Sequence, residues 1–208
     1  MAETTNQSDP LQELRALASK KADSGKKSGS KADSKEEYKE ILNQAVALLP
    51  DILKTERCSI FIHDPKHQRA WLQSGTGLIE KELDIPLQRS ITGEVVITGQ
   101  PLIVNDMRHR DGVHRDVDQM TGYNTRNVLC VPIKNRDGNK VRGTLQVINK
   151  LNNKSFNLED QSLLERAATL LRTATRTAYL SQGGVRRSSR SGSKALADKL
   201  KKLLPDMS

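Results

Sequence analysis

The feature that most constrains this chain is an order of periodicities: one helical stripe, then six short β-rich runs, then a second helical stripe. Tyr38, Ile41, Leu42, Ala45, Leu48, Leu49 and Ile52 recur at three- and four-residue steps, which predicts an amphipathic helix over 35–54. Ser34 with Glu37 fits a capping box at its start. The runs RCSIFIHD (57–64), QRAWLQS (68–74), KELDIPL (81–87), PLIVND (101–106), NVLCVPIK (127–134) and VRGTLQVINK (141–150) are rich in β-branched residues and separated by turn formers, so they read as strands. Residues 64–67 and 135–139 have the composition of tight hairpin connections, the second holding the Asp137-Gly138 pair that tolerates positive φ. Between the third and fourth strands, SITGEVVITGQ (90–100) predicts a short helix with Ser90 near its start and Gly99 at its end. Asn157, with Asp160 three residues on, opens a long helix running to about 181 with a stripe of Leu164, Ala167, Leu171, Ala174 and Ala178.

These elements predict an α+β fold: an antiparallel sheet of about six strands, with the N- and C-terminal helices on one face and the other face left for a ligand pocket under loops. The stretch 105–126 is expected to be a long irregular insertion covering that free face, because loops of this length commonly serve as lids or binding loops.

Composition divides the chain into three parts. Residues 1–34 include a Lys/Ser/Gly/Asp/Ala tract without aromatic or β-branched residues and read as a disordered polar tail. Residues 35–181 form the folded domain, and 182–208 a basic linker followed by a short amphipathic helix, KALADKLKKLLPDM. The formal net charge is +9, of which the 27 residues from 182 onward carry +5. Aromatic residues make up only 3% of the chain, which argues against a nucleic-acid platform, since that needs stacking rings along a basic stripe. No run approaches the roughly 18 continuous apolar residues of a membrane span, and the N-terminus lacks the apolar core of a secretory signal, so a cytoplasmic protein is expected. Cys58 and Cys130 each lie inside an apolar run, outside any metal-ligand spacing, and read as buried reduced thiols.

RCSIFIHD, ITGEVVITGQPLIVND, the TGYNTRNVLCVPI stretch and NKLNNKSFNLEDQ occur in that order over 57–165, and with them the chain resembles a GAF domain. The likeness is to the cyclic-nucleotide-binding kind found in vertebrate phosphodiesterases and cyanobacterial adenylyl cyclases. Gln161 stands where the family motif usually has Glu. The resemblance implies a structural clasp formed by Asn149, Lys150, Phe156 and Asp160, in which Lys150 and Asp160 form an ion pair joining the last strand to the last helix. It also implies ligand contacts. Ser59 and Phe61, with His63, alternate along the first strand and face the pocket if Cys58, Ile60 and Ile62 face the helices. Ser59 offers a hydroxyl to a ligand or, equally, to neighbouring backbone. Ile91 and Thr92 begin the short helix, whose free N–H groups suit a phosphate. By resemblance, Asp118 and Thr121 touch base and phosphate, or else simply form the lid turn; His114 falls where relatives carry an aromatic, and Gln146 where they carry Glu. Where tight cyclic-nucleotide binders present Phe-Asp at the end of the second strand, this chain has Ser74-Gly75.

The function expected is therefore a sensory or regulatory module binding a small molecule, with cyclic AMP or cyclic GMP the first candidate ligand and no cofactor. A ligand-free adaptor or dimerisation module is the alternative. No HExxH, GxSxG or phosphate-loop spacing occurs, and two cysteines in strand cores fit sulfoxide reduction poorly, so a non-enzyme is expected. A homodimer through the terminal helices is the expected assembly, with the small residues Ala167, Ala174, Thr175 and Ala178 either at that interface or packed on the chain's own sheet. The 182–208 tail is open to a protein partner or an anionic membrane surface, or stays solvated, and Ser188 and Ser189 follow two arginines as a basophilic kinase would require.

Overall fold

The computed structural model describes residues 31–78 and 83–180, together with the isolated positions 12 and 16. The expectations for most of the N-terminal tail and for 182–208 lie outside the described residues. Helix α1 (Lys31–Leu53) leads into strands β1 (Thr55–Asp64), β2 (Arg69–Gly75) and β3 (Asp84–Pro86). Helix α2 (Ile91–Thr98), β4 (Leu102–Val104) and helix α3 (Val113–Thr121) follow. Strands β5 (Val128–Lys134) and β6 (Val141–Lys150) then lead through a 3₁₀ turn at Leu151–Asn153 to α4 (Leu158–Leu170) and α5 (Arg172–Leu180).

The six strands form one antiparallel sheet in the order β3-β2-β1-β6-β5-β4. Strict alternation sorts the central strands. Cys58, Ile60 and Ile62 of β1, Leu145 and Val147 of β6, and Leu129, Val131 and Ile133 of β5 join the main core with Leu42, Leu49, Leu164 and Leu171 of the helices. Each such side chain, moved from water to a close-packed interior, contributes about 1.5–3 kcal/mol, which makes this helix-side layer the main source of stability. On the opposite face, Cys130 packs with Ile91, Val95 and Met107 beneath α2. The two cysteines thus lie on opposite sides of the sheet, both free and buried.

Several boundaries differ from the sequence expectation. Helix α1 starts at Lys31, so Ser34 is inside it and is not its cap. The long C-terminal helix is interrupted at Leu171; one turn on, the Thr175 hydroxyl donates to the carbonyls of Leu171 and Arg172, a back-bonding that bends helices. The 105–126 segment is not irregular throughout, because it contains α3. Ala167, Ala174 and Thr175 are buried against the chain's own helices and sheet, so any self-association has to use other residues.

The ion pair of the expected clasp is formed, while Asn149 bonds elsewhere. Lys150 Nζ donates to Asp160 Oδ1 at 2.6 Å and to the Leu53 carbonyl at 2.8 Å, fastening the end of α1 and the start of α4 to the end of β6. Asp160 also completes a capping box, its other oxygen accepting from the Asn157 N–H while its own N–H donates to the Asn157 side chain. The pair is mostly enclosed, with side chains 14% and 12% exposed, so losing one partner strands a charge. Asp160→Asn, which keeps a cap acceptor, is expected to lower unfolding free energy in urea by about 3 kcal/mol, and Lys150→Met combined with Asp160→Leu to recover more than half of that. Equal losses in the single and double variants would contradict a buried pair.

Candidate ligand-binding site

The sheet face opposite α1, α4 and α5 forms the floor of a cavity holding about 800 Å³ of space between atoms, open mouth included. Its floor comes from Arg57, Ser59 and Phe61 of β1, Gln146 and Ile148 of β6, and Val128 of β5. Register explains the grouping: Ser59 lies opposite Gln146 across the β1–β6 pair, and both point away from the helix layer. Leu83 and Ile85 close one side, α2 brings Ile91 and Thr92, and α3 brings Val113, His114, Val117 and Asp118. The lining is largely apolar with a few convergent polar groups, the composition of a site that orients a small molecule.

Two close approaches hold this roof in place. A Cβ at Gly93 would overlap the Leu87 carbonyl, so only glycine lets the first turn of α2 press onto the preceding segment. A Cβ at Gly112 would collide with the Arg89 carbonyl, to which the Val113 N–H donates at 3.0 Å, and this bond moors the start of α3 beside α2. Ser90 caps α2, its hydroxyl accepting from the Gly93 N–H at 3.0 Å, and the helix ends at Gly99 in the left-handed region. The N–H groups of Ile91 and Thr92 have no acceptor within α2, and both residues line the cavity.

Ser59, Phe61, Ile91 and Thr92 line the cavity, as do His114, Asp118 and Gln146. The Thr92 hydroxyl lies 3.5 Å from Gln146 Oε1. Thr121 ends α3, and its side chain lies outside the described residues. His63 is not among the lining residues; its Nδ1 is 3.2 Å from the Val141 carbonyl. Asp118 spends both carboxylate oxygens on Thr125, accepting from its N–H at 2.8 Å and its hydroxyl at 2.7 Å, so it ties α3 to the chain entering β5. Ser74 points the other way, donating to Asn43 of α1 at 2.6 Å, so the end of β2 supplies no ring to the cavity. Among the described residues no cluster of three or more His, Cys, Asp or Glu is placed to hold a metal.

Sequence reasoning missed Arg57 and Tyr123. The Arg57 guanidinium lies over the Tyr123 ring, 3.7 Å from its centroid, forming one end of the cavity. One more step of the two-residue alternation from Ser59 reaches Arg57, whereas nothing local marks Tyr123. Its hydroxyl donates to Glu56 Oε2 at 2.6 Å, and Arg126 donates to Oε1 at 2.6 Å. Asn149, buried and in the left-handed region with φ 59°, donates to Glu56 and accepts from the Arg126 N–H. Burial pushes the Glu56 carboxyl up, but hydrogen bonds from Tyr123, Asn149 and Arg126, with the Arg126 charge, outweigh it and hold the pKa at about 2. Tyr123 is raised, by burial first and then by Glu56. An unfolded Glu56 takes its proton near pH 4.5, above the folded value, so the stability it supplies is complete above pH 4.5 and is lost as pH falls toward 2. Glu56→Gln is expected to flatten that part of the urea midpoint against pH profile; a variant as acid-sensitive as the parent would contradict the assignment.

The model of the GAF domain matches residues 37–174. Among curated proteins, the chain is 32% identical over 84 residues to the dual 3′,5′-cyclic-AMP and -GMP phosphodiesterase 11 of Drosophila melanogaster, covering 40% of this chain and 6% of that protein. It is 28% identical over 126 residues to the dual phosphodiesterase 11A of Takifugu rubripes, covering 55% of this chain and 14% of that one. The matches therefore span a small piece of each relative. Among solved structures, the GAF domain of an Acinetobacter phosphoenolpyruvate-protein phosphotransferase superposes with a TM-score of 0.60 at 21% identity, covering 85% of this chain and 99% of that one. Free methionine-R-sulfoxide reductase of Neisseria meningitidis in complex with its substrate gives 0.57 at 18% identity, with 84% and 95% covered. At these identities the structures establish the fold, and with the family match over most of the described residues the chain belongs to the GAF domain family.

Proposed function

We propose that this GAF domain is a non-catalytic sensory module whose cavity takes a small anionic ligand, with a 3′,5′-cyclic nucleotide as the first candidate. The observation that carries the reading is the cavity itself: an apolar-walled hollow lined by the first residues of α2 on one side and by Gln146 and Ser59 on its floor. A phosphate at the start of α2 meets backbone donors and the positive end of the helix dipole, while a planar ring lies between the sheet and α3. The likeness to cyclic-nucleotide phosphodiesterases supports the same ligand class, although the matched piece is a small part of those proteins.

Reductase chemistry of the kind named for one structural relative needs a reachable thiolate. Burial raises the Cys58 thiol and pushes Cys130 up to about 12, and the two lie on opposite faces of the sheet. Both thiols therefore stay protonated at neutral pH, which argues for a binding role. No described helix is long and apolar enough to cross a membrane.

Calorimetric titration of ligand-free protein with cyclic AMP and cyclic GMP is expected to show dissociation constants on the order of micromolar or tighter for one of them, and Thr92→Val with Gln146→Leu to weaken it by about tenfold or more. Silence with both nucleotides would contradict the reading and favour a ligand-free adaptor.

A further inference from the structure

We propose that Arg57 sets the ligand preference of the cavity by donating two parallel hydrogen bonds to the edge of the ligand's ring, so that a guanine-type ring, with adjacent acceptors at N7 and O6, is favoured over an adenine-type ring. The inference rests on the cavity being a cyclic-nucleotide site and goes further by naming the residue that reads the base and the base it prefers.

Helix α3 fixes where the two ends of the cavity lie. It begins beside α2, where the Val113 N–H donates to the Arg89 carbonyl, and runs for nine residues, about 12 Å, before Gly122 turns the chain into Tyr123. The floor runs the same way. Gln146, which meets Thr92 of α2, lies opposite Ser59, and the Arg57–Ile148 rung is two residues further along the strands, about 7 Å on. In the other direction the floor is filled by Phe61, which is buried with Ala70, Leu72, Leu87 and Val96. A nucleotide with its phosphate at the start of α2 therefore has room for its base toward Arg57 and Tyr123, both of which line the cavity.

Arg57 is held on a fixed platform and keeps its donors unspent. The Tyr123 hydroxyl donates to Glu56 Oε2 at 2.6 Å and accepts from Asn149 Nδ2 at 3.0 Å, which anchors the ring. The guanidinium stacks on that ring, 3.7 Å from its centroid, so one face is covered and its N–H edge is left for a partner. The Arg57 side chain makes no hydrogen bond or ion pair with any described residue. The nearby carboxylates are taken: Asp118 by Thr125, and Glu56 by Tyr123, Arg126 and Asn149. A guanidinium offers its N–H groups as a planar fork that matches two adjacent acceptors. Guanine carries N7 and O6 side by side, whereas adenine sets an N6 amino donor beside N7, and that donor opposes the fork. Gln146 and Thr92 adapt to donors or acceptors alike, so neither discriminates by polarity. Arg57 does, because it can only donate.

The test titrates the full chain calorimetrically with four probes: cyclic GMP, cyclic IMP, cyclic AMP and 7-deaza-cyclic GMP. Cyclic IMP keeps N7 and O6 but lacks the 2-amino group, and the 7-deaza analogue loses N7 alone. The parent protein is expected to bind cyclic GMP and cyclic IMP at least about tenfold tighter than cyclic AMP, and the 7-deaza analogue at least about fivefold more weakly than cyclic GMP. Arg57→Met, which keeps the length of the side chain and removes its donors, is expected to bring cyclic GMP and cyclic AMP within about twofold of each other, and Arg57→Lys, which keeps the charge without the fork, to retain part of the preference. A parent that binds cyclic AMP as tightly as cyclic GMP, or that groups cyclic IMP with cyclic AMP, overturns this inference and leaves the sensory reading intact. So does an Arg57→Met protein that weakens every probe alike and keeps the parent's ratio, since the side chain then serves only as platform or charge. A parent silent toward all four probes overturns both. Should Arg57→Met not fold, the 7-deaza analogue decides on the parent alone: binding equal to that of cyclic GMP overturns the proposal.

Discussion

Two consecutive residues at the end of β6 bond in opposite directions, and the layout of the domain depends on them. Lys150 reaches to the helix side, where its ammonium meets the last carbonyl of α1 and the first-turn carboxylate of α4. Asn149 reaches to Glu56, Tyr123 and the backbone of Arg126, where the cavity ends. The left-handed backbone at Asn149 makes this divergence possible, and Asn is one of the few side chains that tolerates it. Helix layer and cavity layer are thereby joined through adjacent residues of one strand, so Tyr123, which touches the cavity, is one residue removed from the pair that fixes the helix ends.

The placement of the sheet could be read in the sequence because short-range rules govern it, whereas the clasp was expected from the family resemblance alone. Alternation along RCSIFIHD puts Cys58, Ile60 and Ile62 under the helices and Ser59 and Phe61 over the cavity. The Ser90 cap and Gly99 terminus bound α2 as expected, and Asn157 with Asp160 makes the capping box that opens α4. Helix α3 was not legible. VHRDVDQMT has few apolar residues, and what holds it is tertiary: the mooring of Val113 to Arg89 and the bonds from Thr125 to Asp118. The Glu56 cluster escaped for a related reason, since its partners are Tyr123, Arg126 and Asn149, between 67 and 93 residues away. Contacts at that separation leave no local pattern.

The ring-bearing groups of the cavity lie on and beside β1 and not at the end of β2. The end of β2, occupied by Ser74 and Gly75, turns its hydroxyl toward α1. The aromatic and cationic surface is instead at the other end, in the stacked Arg57 and Tyr123. A guanidinium over a phenol presents a flat face backed by positive charge, which suits a planar ring or an anion. Selectivity then falls to a few polar groups, Ser59, Thr92, His114 and Gln146 among them.

The central claim is that the sheet face opposite the three terminal helices is where a small anion binds. A crystal structure of the protein with cyclic AMP or cyclic GMP tests it most directly. The account predicts the phosphate within hydrogen-bonding distance of the Ile91 and Thr92 amides, with the base between the β1–β6 floor and α3. Nucleotide found elsewhere on the surface, with the hollow closed by the protein's own side chains, would contradict it.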